Sequence, residues 1–235
     1  MARELLQVAG LEAWYGESHI LHGVGLSVRE GEVVTLLGRN GAGRTTTLRA
    51  IMGLVGRRRG SVRINGIETI ELAPHRIARI GVGYCPEERG IFSQLSTEEN
   101  LMLPPQLSGG GAMALAQIYE MFPNLRERAA SPGTRLSGGE QQMLAVARLL
   151  RAGAPLRLLD EISEGLAPVI LQKLADVIRA LKTRGVTVVL VEQNFRFAAP
   201  LADRFYVMEH GRIALQFEQA ELAAKMTMLH DFLGV

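Results

Sequence analysis

Three short stretches bring together residue types that suit phosphate chemistry. The first is Gly38-Arg39-Asn40-Gly41-Ala42-Gly43-Arg44-Thr45-Thr46, between an apolar run and a set of helically spaced apolar residues. Its glycines let the backbone turn so that several N–H groups face one anion, and a following helix presents its positive end to that anion. Thr45 is placed to give its hydroxyl to Mg²⁺. A loop of this kind ordinarily ends in Lys-Thr or Lys-Ser, but here Arg44 takes the lysine position, and arginine is a longer planar fork with a different reach. The second stretch is Asp160-Glu161, at the end of an apolar segment. One carboxylate can hold the hydration shell of Mg²⁺, and the other can orient or deprotonate an attacking water. Taken alone, the pair also fits a helix N-cap after a strand. The third is Leu136-Ser137-Gly138-Gly139-Glu140-Gln141-Gln142, which sets a hydroxyl and two glycines at a second anion-facing helix start.

The elements that must position these residues follow from periodicity. Val33 to Leu37, interrupted only by Thr35, is a strand feeding the glycine loop, and Leu48, Ile51, Met52 and Leu54 mark the helix after it. Residues 4 to 30 and the VRINGIE segment at 62–68 are rich in β-forming residues and predict an antiparallel N-terminal sheet. From about 95 to 136 the pattern becomes helical: TEENLMLP, the flexible SGGGAM, then LAQIYEMFPNLRER with apolar residues three and four apart. A helix over roughly 139–151, a strand over 156–159, a helix with Leu171, Leu174, Ile178 and Leu181 on one face, and the strand VTVVLV complete the order. Strands alternating with helices imply right-handed crossovers and a parallel sheet.

Composition narrows the function classes. The 235 residues are 47% hydrophobic and 21% charged, a mix that folds, and their length suits one large domain or a core with a subdomain. Cys85 stands alone, so no internal disulfide forms and a reducing compartment is expected. Apolar runs such as Val188 to Val191 are far short of the roughly 20 residues that cross a bilayer, and the N-terminal stretch lacks the apolar centre of a secretory signal. A net charge of +2 gives no ground for a nucleic-acid partner. The run Arg57-Arg58-Arg59 is expected to be a solvated turn, and His19 and His22 lack the further ligands of a metal site.

With these motifs in hand, the chain resembles the ATP-binding subunit of an ABC transporter over nearly its whole length. LSGGEQQ is similar to the signature of that family, the glycine loop to Walker A, LRLLDE to Walker B, SEGLAP to the D-loop, CPEERGIF to the Q-loop and VEQN to the switch loop. More narrowly, RGIF, SEGLAP, VEQN and LADRFYVMEHGRI resemble the LivF-type subunit of branched-chain amino acid importers. The resemblance implies an α/β fold with a P-loop NTPase (RecA-like) core, a mainly parallel sheet, an N-terminal antiparallel β-subdomain and an inserted helical subdomain. It further implies one ABC ATPase domain over residues 1–235, with the helical subdomain at approximately 95–138.

The implied cofactors are ATP and Mg²⁺. Tyr15 stands where the family stacks an aromatic ring on adenine, residues 38–46 where it binds phosphate, and Thr45, Asp160 and Glu87 where it holds Mg²⁺, partly through water. Glu161 and Gln193 match the catalytic positions, and Ser137, Gly138, Gly139 and Glu140 would serve ATP bound by a partner. That partner is a sister ATPase subunit in a head-to-tail pair, heterodimeric in the LivF resemblance, with a homodimer of the isolated chain as the alternative. Two membrane-spanning permease subunits and, indirectly, an external solute-binding protein are implied, with this chain cytoplasmic and peripheral on the inner face of the plasma membrane.

Several positions depart from the family pattern. Arg44 replaces the lysine, Ile162 the usual proline, Glu87 a glutamine and Gln193 a histidine, while Arg157 interrupts a strand expected to be continuously apolar. A buried arginine needs a partner; otherwise the strand is partly uncovered there. All these departures fall in the chain's own Walker half-site, and the signature is intact. Slow turnover of its own nucleotide is therefore expected, with LSGGE still competent for the partner's. A regulatory, largely non-hydrolysing subunit is an alternative, as is the ATPase of a urea or amide importer. An exporter subunit and a nucleic-acid-directed ABC protein are further ones.

Overall fold

The computed structural model describes residues 3–107 and 111–234. Of the SGGGAM segment, whose sequence reads as flexible, residues 108–110 lie outside the described residues. The N-terminal half comprises β1 (Glu4–Tyr15), β2 (Ser18–Arg29), β3 (Val33–Gly38), α1 (Arg44–Ile51), β4 (Arg57–Ile64), β5 (Ile67–Glu68), α2 (Pro74–Gly81) and β6 (Val82–Cys85). Then come α3 (Thr97–Met102), α4 (Leu115–Met121), α5 (Pro123–Glu127) and α6 (Gly138–Ala152). The chain ends with β7 (Leu156–Asp160), α7 (Pro168–Thr183), β8 (Thr187–Glu192), α8 (Phe195–Ala198), β9 (Arg204–Glu209), β10 (Arg212–Glu218) and α9 (Leu222–Leu233).

Among the described residues two sheets form. One has the order β2-β1-β4-β5 and is antiparallel, as the N-terminal alternation predicts. The other has the order β10-β9-β3-β8-β7-β6 and is parallel except at its β10 edge. Its central strands are buried on both faces: Val33 and Leu37 of β3 join one apolar cluster while Val34 and Leu36 join the other. Such double burial is what a continuous Val/Leu run encodes. The expected helical stretch from 95 to 136 holds α3, α4 and α5; Pro123 splits the third of its pieces into two helices, because proline cannot continue the ladder. No helix among the described residues is long and apolar enough to cross a membrane.

Two local expectations require correction. Arg57-Arg58-Arg59 is not a turn but the opening of β4. Arg58 donates to the carbonyls of Ile70 and Leu72 at 2.7 and 2.8 Å, while Arg57 lies over the Trp14 ring, so the cations stitch the sheet edge. At β7, burial runs through the whole strand, and Arg157 is only 2% exposed. The expected partner is absent among the described residues: its Nε is buried with no hydrogen bond, and burial lowers its pKa to about 10. Gly83, which has no side chain, is its register neighbour on β6.

Candidate functional site

β3 delivers the chain into the glycine loop, and α1 begins directly after it. Gly43 has φ +104°, and a Cβ there would stand 2.9 Å from Leu21, so only glycine makes this turn against the neighbouring sheet. At Gly38 a Cβ would meet the Met208 carbonyl at 2.6 Å. The opening N–H groups of α1 have no acceptor inside the helix, and α1 has no side-chain cap. Together these features form an anion cradle at the mouth of a cavity of about 420 Å³, lined by residues 39–46, Ile20, Glu87, Glu161 and Glu164.

Arg44 sets the electrostatics of this cavity. It is 4% exposed, and its Nη2 is ion-paired with Glu161 and 3.4 Å from the Asn40 side-chain oxygen. Its Nη1 is buried with no partner. A buried cation with a donor left over is an unfinished coordination shell, which an incoming anion can complete. Glu161 itself has φ +47°, an unusual conformation for a residue with a Cβ, and its N–H donates to the Val191 carbonyl at 2.9 Å.

Beneath the loop, Asp160 accepts from Thr45 Oγ1 at 3.0 Å and from the Tyr84 hydroxyl at 2.9 Å. Burial raises its pKa, opposed by these two donors. Tyr84 is pushed upward too, by burial first and then by the Asp160 charge, and remains a donor. The sequence reasoning missed Tyr84; its signal was a lone hydroxyl in the VGYC strand, one residue from a sheet end. It also missed Glu164, which lines the cavity. Glu87 is shifted upward, mainly by burial and then by the Glu161 charge. Thr45 and Asp160 supply the hard oxygen donors that Mg²⁺ takes alongside water and phosphate. Among the described residues no cluster of three or more His, Cys, Asp or Glu that could hold a metal ion is present.

Other expected site residues lie elsewhere. Arg39 lines the cavity, but its guanidinium donates to the carbonyls of Asp231 and Phe232, both at 3.0 Å. The contact has a simple cause: the last carbonyls of α9 lack helical partners and attract a cation. Tyr15 is 44% exposed and does not line the cavity. Gln193 follows β8 and borders a second cavity of about 400 Å³, which it shares with Glu161. Ser137, Gly138, Gly139 and Glu140 are at the start of α6, away from the cavity lining. There Ser137 Oγ accepts from the Glu140 N–H at 3.3 Å, and the Glu140 carboxylate accepts from the Ser137 N–H at 2.8 Å. His19 stacks on Trp14 and meets His22 edge-on.

Comparison with known proteins identifies relatives of this chain. The family model described as ABC transporter matches residues 21–164. The chain is 40% identical to the high-affinity branched-chain amino acid transport ATP-binding protein BraG of Pseudomonas aeruginosa, over 98% of this chain and 100% of that protein. It is 31% identical to the lipopolysaccharide export system ATP-binding protein LptB of Escherichia coli K12, over 97% of both. Among solved structures, the dimeric cassette MJ0796 in a post-hydrolysis state bound to ADP and Pi superposes with a TM-score of 0.80 at 25% identity, covering 91% of this chain and 98% of the other.

Proposed function

The chain belongs to the ABC transporter family as an ATP-binding, ATP-hydrolysing subunit, and on that premise we propose that it drives the import of branched-chain amino acids. The full-length likeness to BraG carries this reading of the solute. The working unit pairs this chain with a sister ATPase on two membrane-spanning permease subunits, at the inner face of the plasma membrane, with a solute-binding protein outside. Residues 1–235 act as one ABC ATPase domain, and the helices between about 95 and 138 carry its motion to the permeases.

In this reading the glycine-loop N–H groups and Arg44 take the ATP phosphates, and Tyr15 stacks on the adenine. Thr45 and Asp160 hold Mg²⁺, with Glu87 acting through water; the ion would offset charge on the phosphate oxygens. Glu161 takes the proton of the attacking water, and the Gln193 amide orients it. Ser137 and the N–H groups at the start of α6 serve the nucleotide held by the partner. Asymmetry between the two nucleotides is part of the proposal, and the Arg44–Glu161 ion pair supports it. The chain's own ATP must draw Arg44 away from the base before that base is free.

Phosphate release by the purified chain tests this, beside Arg44→Lys and Glu161→Gln and with its sister subunit present. We expect slow release by the natural chain, faster release with lysine, and none above background with glutamine. A rate that lysine fails to raise overturns the asymmetry. The solute is tested in a transporter reconstituted with permeases and binding protein: leucine-stimulated turnover is expected, and indifference to every branched-chain amino acid rejects the importer assignment.

A further inference from the structure

β8 ends in a carboxylate that the chemistry above does not use. Glu192 is 1% exposed, and among the described residues no cation is ion-paired with it. Both of its oxygens turn to one residue: Oε1 accepts from the Ser163 N–H at 3.1 Å, and Oε2 lies 2.5 Å from Ser163 Oγ. Ser163 is two residues beyond Glu161. In the same place the Glu161 N–H donates to Val191, the residue before Glu192. Three bonds therefore fasten the loop that carries the base to the last two residues of β8. The next residue is Gln193, and the cavity of about 400 Å³ is bordered by Glu161, Ser163, Glu192 and Gln193 together.

A fully buried acid is an expensive way to fill space, since an apolar side chain would pack there without desolvation. What only a side chain with two acceptors can do is grip a backbone N–H and a hydroxyl of one residue simultaneously. Glu161 gives such a grip a purpose, because a left-handed backbone at a residue with a Cβ persists only where its surroundings over-determine it.

We infer that Glu192 is a positioning residue for ATP hydrolysis: it clamps Ser163, holds the Glu161 backbone in its left-handed conformation, and ties the base to the loop bearing Gln193. The inference rests on the reading of Glu161 as the base. The surroundings are consistent with the clamp: burial raises the Glu192 acid, the Ser163 bonds only partly oppose it, and the net position is about 8. Either protonation state leaves at least one oxygen free to accept.

Steady-state hydrolysis by the full chain tests the clamp. Glu192→Ala is expected to lower kcat by about 10- to 100-fold, the scale of a misplaced catalytic group, with KM for ATP within about twofold. Ser163→Ala should cause a similar loss, and the double variant should lose no more than the worse single one. Glu192→Gln keeps an acceptor oxygen and offers an amide donor to the hydroxyl, so it should recover most of the rate. The clamp is overturned if Glu192→Ala retains the natural kcat, if only KM moves, if the double variant is additive, or if glutamine is no better than alanine. A second arm needs no turnover. Amide hydrogen exchange over residues 161–166 of the nucleotide-free chain should quicken in Glu192→Ala, and unchanged exchange also overturns the clamp. A natural chain that releases phosphate no faster than Glu161→Gln overturns the hydrolysis reading instead, and the exchange result then decides the clamp by itself.

Discussion

The glycine loop and the LSGGE segment both offer a helix start to phosphate, yet they are finished in opposite ways. At the loop, α1 has no side-chain cap, a buried arginine is paired to the neighbouring glutamate, and one of its guanidinium nitrogens has no partner. At the signature, Ser137 and Glu140 close a reciprocal capping box, and the surrounding cation Arg128 lies 3.6 Å from Glu140 at the surface. The first site is incomplete until an anion arrives; the second is satisfied by its own residues. An anion at the first helix start would have to open the Arg44–Glu161 pair, whereas the second is held by its own capping bonds. This difference gives the proposed asymmetry between two nucleotides a physical basis within one chain.

The largest expected effect breaks the comparison on the loop side. Glu161→Gln removes the general base, and phosphate release should fall by about 10² to 10⁴. ATP binding should persist or tighten, because Arg44 no longer has a carboxylate to hold it; nucleotide titration of the variant checks this, and weaker binding would show that the ion pair does not compete with phosphate. Next in size, Arg44→Lys should raise release by about tenfold, or roughly 1.4 kcal/mol of barrier, since a compact ammonium fits the loop without reaching the base as a fork. On the signature side, Ser137→Ala should leave this chain's own ATP affinity unchanged and slow turnover of the assembled pair by no more than about tenfold, because the helix N–H groups remain. A Ser137→Ala chain that binds its own ATP more weakly would erase the distinction between the two helix starts.

Much of this was legible in the residues. The alternation of Val33, Val34, Leu36 and Leu37 between two apolar clusters is written in a run broken only by Thr35, and the order of strand, glycine loop and helix follows from it. The pairing of Arg44 with Glu161 was not legible, because 117 positions separate them and only the β3–β8–β7 register brings them together. Tyr84 and Arg39 were hidden for a similar reason. One reaches Asp160 across neighbouring strands, and the other reaches the end of α9 from the opposite end of the chain. Arg157 is the reverse case. Its oddness was plain in the sequence, and the structure buries it without supplying the expected partner.

The subtlest prediction sharpens the comparison through proton linkage, because Glu192 behind the loop and Glu140 at the signature are shifted in opposite directions. Burial raises Glu192, behind the loop, from an ordinary value of 4.5 to about 8. For Glu140, at the signature, burial acts upward, but the Ser137 N–H and hydroxyl and then Arg128 outweigh it, so the net shift is downward. Between about pH 4.5 and 8 the folded chain keeps the Glu192 proton that the unfolded chain has released, so ν for the native state is the larger and stability falls as pH rises. Glu140 works the other way: its contribution is present above the ordinary carboxylate pKa and is lost as acid protonates the folded form. Thermal melts of Glu192→Gln against the natural chain should therefore show a stability advantage for the variant that grows from pH 5 to pH 8, while Glu140→Gln should show a small deficit that shrinks on acidification below about pH 4.5. Parallel curves for Glu192→Gln and the natural chain across that range would mean that Glu192 is already ionised in the fold. The carboxylate would then bind Ser163 as an anion, and the loop side would hold a further buried negative charge close to the one that pairs with Arg44.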